Sequence, residues 1–154
     1  MDMKLLADRY SFGISSTEPF CTVFTAQSKV YYYCKDAVCE YVFRQNKLPI
    51  NPFKAFDYFL GDRVDRDLIR RANNHLLSLC DELWVFGDIA NGVMFEILTA
   101  KKLGKPIRFF TIATKSSEIA EVSLRELAFE SEMGLAQPQI NEFISLIEKQ
   151  TYLE

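Results

Sequence analysis

The chain has 154 residues, 49% of them hydrophobic and 25% charged, with a formal net charge of -3. That length builds one domain with a sizeable core, and an acidic balance without a block of Lys or Arg argues against binding nucleic acid through its phosphates. No apolar run is long enough to cross a bilayer and the first residues lack a signal-peptide pattern, so a cytoplasmic protein with no membrane partner is expected.

Cys21, Cys34, Cys39 and Cys80 form no Cys-x-x-Cys pair, and His75 is the only histidine. The cysteines therefore read as small hydrophobes rather than metal ligands.

Residues 1–19 carry Gly13 and a Ser-Ser-Thr cluster and read as an N-terminal extension, with a short helix over Met3 to Arg9. Phe20 to Ala26 is β-branched and aromatic, a first strand. Gln27 and Ser28 turn the chain, with Ser28 placed to cap a helix. The following Lys29 to Lys47 is aromatic enough to pass for a strand. Its apolar positions Val30, Tyr33, Cys34, Ala37, Val38, Tyr41 and Val42 nevertheless step by three and four, which predicts a helix.

Leu48 to Asn51 before Pro52 reads as a second strand. Phe53 to Asp62 has no clean period and predicts a loop with a helical turn, either the wall or lid of a pocket or aromatic packing onto the core. Arg63 to Cys80 predicts a helix with Val64, Leu68, Ala72, His75 or Leu76, and Leu79 on one face. Its arginines, Arg63, Arg66, Arg70 and Arg71, can hold phosphate or pair with the interleaved Asp62, Asp65 and Asp67. His75 reads as a helix residue, not a catalyst.

Residues 81–110 organise the chain. Leu83 to Phe86 is a short apolar run that suits a strand buried on both faces. After the loop from Gly87 to Gly92, Val93, Met94, Ile97, Leu98, Ala100 and Leu103 recur at helical spacing. Gly104 closes that helix and Pro106 prevents its return. Ile107 to Phe110 is then a second buried strand, giving a right-handed βαβ unit with parallel strands. Ligands of such sheets sit beyond the carboxyl ends of the strands, which points to the Gly87–Gly92 loop.

Further on, Thr111 to Ser117 is a polar connection, with Ser117 placed to cap a short helix at Glu118. Glu121 to Glu132 is a charged surface element of no assigned type. Ile140, Phe143, Ile144 and Ile147 mark a final amphipathic helix. The expected fold is α/β: a doubly wound parallel sheet, Rossmann-like or flavodoxin-like in three layers, with a C-terminal helical extension, all in one domain over residues 20–154.

Glu96 stands out as chemistry. It lies about one turn into the helix after Gly92, where unpaired N–H groups and the helix dipole favour an ionised carboxylate. Such a group can act as a nucleophile or stabilise a sugar cation, or it is an ordinary first-turn glutamate on a solvated face. No Gly-x-Gly-x-x-Gly turn, Walker loop or Gly-x-Ser-x-Gly elbow occurs. Gly87 and Gly92 let a ligand approach the backbone or simply serve a tight strand-to-helix connection.

The order of elements, the NPF after the second strand, CDELWVFG and NGVMFEILTAKKLGKPI together resemble the nucleoside 2-deoxyribosyltransferase-like superfamily, closest to a subgroup of small bacterial proteins. The resemblance spans about residues 21–110. It implies that Glu96 attacks the anomeric carbon of a deoxyribose and that Gly92 shapes the loop. It also implies that Gln27 and Ser28 contact the base, while the loop from Asn51 through Pro52, Phe53 and Asp57 to Phe59 closes over a nucleoside or nucleoside 5'-monophosphate. Implied too are a homo-oligomer and no metal or organic cofactor.

Two positions depart from the pattern. Ala90 and Asn91 stand where transferases carry an aspartate, leaving Asp88 as the nearest acid, and Asn73 stands where the related N-hydrolases carry a catalytic aspartate. An amide exchanges no proton, so Asp88, or a neighbour at Asn51 or Asp57, is expected to assist the departing base. A nucleotide-sensing module that keeps the pocket without the acid is the alternative. A third reading gives Trp84 and the aromatic loop to an oligomer interface.

Overall fold

In the computed structural model, which describes residues 2–14 and 19–149, the chain forms α1 (Met3–Ile14), β1 (Thr22–Gln27), α2 (Lys35–Arg44), β2 (Leu48–Ile50), α3 (Pro52–Leu60), α4 (Arg66–Leu79), β3 (Glu82–Phe86), α5 (Asn91–Lys102), β4 (Ile107–Phe110), β5 (Glu121–Val122) and α6 (Gln137–Glu148). The sheet order is β2-β1-β3-β4-β5. β2, β1, β3 and β4 run parallel, and β5 adds antiparallel to β4. After β1 the chain turns to one side to make β2, then returns across β1 to make β3. The carboxyl ends of β1 and β3 therefore flank a topological switch point, where an open α/β sheet leaves a crevice.

Leu83, Trp84, Val85 and Phe86 have no exposed surface. Alternate side chains along a strand point to opposite faces, so this run feeds two cores. Leu83 and Val85 join Phe24 and Ala26 against Leu77, Val93, Ile97 and Ala100 of the α4–α5 layer and Phe143, Ile144 and Ile147 of α6. Trp84 and Phe86 join Val23 and Phe110 against Ala37, Val38 and Val42 of α2. Phe86 stacks on Phe110 at 4.9 Å between ring centroids, and Tyr41 meets Phe110 edge-on at 5.3 Å. Being fully buried, Trp84 cannot anchor an oligomer interface.

Local details depart from the sequence pattern for physical reasons. The segment after Ser28 begins as a 3-10 helix over Lys29–Cys34, with Val30 and Tyr33 exposed. Ser28 does cap it, accepting from the Val30 N–H, but Gln27 Nε2 donates to the Tyr31 carbonyl at 2.7 Å and draws it out of an α-helical ladder. The α-helix starts only at Lys35.

Residues 52–56 form the helical turn expected in this segment, because Pro52 occupies the first turn and the Asn51 side chain accepts from the N–H groups of Phe53 and Lys54. From Asp57 to Leu60 the backbone turns left-handed, which strains non-glycine residues.

Along α4 the inward face is rotated from the expected one. Leu68 and Leu79 are 51% and 65% exposed, while Leu77 and Cys80 are buried and Ile69, Asn73 and Leu76 half-buried. A polar Asn73 within the inward stripe hides it from a count of apolar residues. β5 was not anticipated, two residues being too few to show a period. The turn at Ser116–Glu118 has Lys115 rather than Ser117 at its cap position. α1 reaches further than Met3 to Arg9, and the rest of the expected extension, residues 1 and 15–18, lies outside the described residues.

Candidate functional site

A cleft of about 640 Å³ opens at the carboxyl ends of β1 and β3. Gln27 and Ser28 reach it from the end of β1, Pro52, Phe53, Phe56, Tyr58 and Phe59 from α3, and Arg66, Ile69, Arg70, Asn73 and Asn74 from α4. Asn91, Gly92, Val93, Phe95, Glu96 and Thr99 come from α5, and Glu130, Glu132 and Met133 from the segment before α6. The lining combines an apolar and aromatic wall with about as many polar and charged side chains.

A buried amide supports the cleft from below. Asn51 is 4% exposed, and its Nδ2 donates to Thr25 Oγ1 and Gln27 Oε1, each at 3.0 Å. Its Oδ1 caps α3. Asn51 thus has no group left for a ligand and does not line the cleft; it ties the end of β1 to the start of α3. Gln27 lines the cleft, but both ends of its amide are engaged, by Asn51 and by the Tyr31 carbonyl.

Glu96 is the sixth residue of α5. Its Oε2 is buried with no hydrogen-bond partner, and burial pushes its carboxyl up to about 8. The expectation of an ionised carboxylate is therefore corrected: desolvation outweighs the helix dipole, whose influence fades within the first turn. Asn73 Oδ1, on the neighbouring α4, is likewise buried and unpartnered. Two buried polar atoms without partners in one cleft are what a bound polar ligand would satisfy.

The two glycines of the loop separate cleanly. Gly87 has φ +77°, and a Cβ there would meet Ile112 Cγ2 at 2.5 Å, so it is required by the fold. Gly92 has an ordinary φ, and a Cβ there would meet nothing within 4 Å. Packing does not demand glycine at 92, where the backbone faces the cleft.

Of the residues expected at the site, Glu96, Gln27, Ser28, Pro52, Phe53, Asn73, Asn91 and Gly92 come together in the cleft, and Asp88, Asn51, Asp57 and Gly87 do not line it. Asp88 instead accepts from the Tyr31 hydroxyl at 3.2 Å, which raises the tyrosine's pKa chiefly through the neighbouring negative charge. Asp57 is exposed and accepts from Tyr32.

Sequence reasoning missed Glu130, Glu132 and Met133. Their stretch has no period, and a long-range pairing brings it in: the Ile89 N–H donates to the Ala128 carbonyl at 2.8 Å, and the Glu130 N–H to the Ile89 carbonyl at 2.9 Å. The Ser28 hydroxyl then donates to Glu130 Oε1. A signal did exist for the α4 wall, since Arg66, Ile69, Arg70, Asn73 and Asn74 share helical spacing.

Arg66 and Arg70 pair with Asp62 and Asp67, and both guanidinium groups lie over the Phe59 ring, at 4.6 and 5.4 Å from its centroid. His75 is exposed. All four cysteines are free thiols, three of them buried. Among the described residues no group of three His, Cys, Asp or Glu is arranged to hold a metal, and no helix is long and apolar enough to cross a membrane.

A family described as a domain of unknown function (DUF7768) matches residues 20–110, and the chain belongs to it. Among solved structures, a 2-desoxiribosyltransferase from Leishmania mexicana is similar over 80% of this chain and 97% of its own, with 17% sequence identity and a TM-score of 0.44. No curated protein matches.

Proposed function

We propose that this member of the DUF7768 family breaks or transfers the N-glycosidic bond of a deoxynucleoside or its 5'-monophosphate, with Glu96 as nucleophile at C1'. The observation that carries this reading is the Glu96 carboxyl: its Oε2 is buried without a partner in a cleft of about 640 Å³ with an aromatic wall. The sequence resemblance supplies the substrate class. Phe53, Phe56 and Tyr58 offer ring faces to a base, and Ser28, Asn73 and Asn91 offer hydrogen-bonding groups. Pro52 and Gly92 leave room for the sugar, and Asn51 keeps Gln27 in place.

Attack by Glu96 forms a glycosyl ester, and water or a second base completes the turnover, as in a retaining glycosidase. Because burial holds the carboxyl at about 8, the rate rises with pH through neutrality as the proton leaves.

The test is incubation with deoxynucleosides and their 5'-monophosphates, with and without an acceptor base, following free base by chromatography. Base release that is lost in Glu96→Gln supports the reading, and release unchanged in that variant removes the nucleophile. A homo-oligomer is part of the same proposal, and light scattering that returns only the monomer mass counts against it.

One observation favours a second reading, a nucleotide-binding module without catalysis. At pH 7 the raised Glu96 is a neutral hydrogen-bond donor, and Asp88, the acid nearest the loop, is bonded to Tyr31 outside the cleft. Saturable binding by calorimetry with no base release would establish it.

A further inference from the structure

We infer that Glu130 is the second carboxyl group of this reaction, giving its proton to the departing base. The inference rests on the N-glycosidic reading of the cleft. A purine or pyrimidine is a poor leaving group unless its ring is protonated as the bond breaks, so a nucleophile alone leaves the reaction half-equipped. The residues expected to supply that proton do not: Asn73 carries an amide, Asp88 does not line the cleft, and Asp57 is exposed and bonded to Tyr32.

Glu130 lines the cleft with Glu96 and is half-buried. Its backbone is pinned to the loop after β3 through Ile89, a residue with no exposed surface. Ser28, 1% exposed, donates its hydroxyl to Oε1, which holds the carboxyl group in place at the cleft. Glu132 also lines the cleft, but it is exposed.

In the first half of the reaction an oxygen of ionised Glu96 bonds to C1', the C1'–N bond breaks, and its electron pair goes to the base. A base nitrogen or oxygen takes the proton from Glu130, which is left as a carboxylate. In the second half Glu130 takes a proton from water as the water oxygen bonds to C1', and the ester bond returns its electron pair to Glu96. Both carboxyl groups are restored.

The experiment compares ordinary deoxynucleosides and their 5'-monophosphates with 7-methyl-2'-deoxyguanosine and its 5'-monophosphate, whose methylated base departs without taking up a proton. Glu130→Gln keeps an oxygen for Ser28 to bond, and its melting curve and calorimetric binding report whether fold and site persist. Base release from the ordinary substrates should fall by about 10²-fold or more, while release from the methylated ones changes by less than about fivefold. Glu96→Gln should lose both.

An equal fall on both substrate types in Glu130→Gln, or no fall on either, overturns the role of Glu130 while leaving the N-glycosidic reading in place. A wild-type protein that releases base from neither type overturns both.

Discussion

Glu96 sits on a twelve-residue helix with one carboxyl oxygen buried and unpartnered, whereas Glu130 lies in a stretch tied to the sheet by two backbone hydrogen bonds to Ile89 and to Ser28 by its carboxylate. The two line one cleft, and their surroundings ask different things of them. Desolvation sets the charge of the first, and tertiary contact sets the position of the second. The first is a group whose ionisation is costly, the second a group whose placement is secured.

The sharpest way to break that contrast is through pH and stability. Glu96 has its folded pKa near 8 against an ordinary 4.5, so the native state holds a proton that the unfolded chain has released. Stability is then unpenalised below about 4.5, falls as pH rises towards 8, and levels off above. In Glu96→Gln this slope should vanish, with a gain on the order of 3 kcal/mol at pH 7 in urea unfolding. An unchanged slope would mean that Glu96 is solvated.

Smaller but still large is the expected separation of the loop glycines. Gly87→Ala should cost about 2–3 kcal/mol, from positive φ and the clash with Ile112. Gly92→Ala should shift stability by less than about 0.5 kcal/mol. Gly92→Leu should fold and weaken ligand binding by about tenfold or more, which calorimetry would read.

Ser28→Ala removes both a cap and the anchor of Glu130. We expect a loss of about 1 kcal/mol in stability and a drop of roughly tenfold in turnover. The smallest effect belongs to Asp88→Asn, which should alter base release by less than about twofold, the order of a surface hydrogen bond. A large loss there would return Asp88 to the chemistry and weaken the role given to Glu130.

Much of this molecule is legible in its residues because the signals are local. The run from Leu83 to Phe86 reads as a doubly buried strand, Gly104 and Pro106 mark the end of α5, and Ile140, Phe143, Ile144 and Ile147 outline α6, all as observed. Glu96 and Gly92 are visible from their place after the central strand. The inward face of α4 was misread because Asn73 interrupts it. The charge of Glu96 was misread because a dipole is written in the sequence and desolvation is not.

The sequence by itself determined the parallel βαβ core and the helix that bears Glu96, since hydrophobic period and glycine or proline punctuation act over a few residues. Only the tertiary structure decided that Asp88 turns to Tyr31, that Asn51 spends its amide on Thr25 and Gln27, and that Glu130 crosses 102 residues of chain to meet Ser28. These last are matters of hydrogen bonds between distant segments and of water excluded from a cleft, which depend on where the folded chain brings its surfaces together.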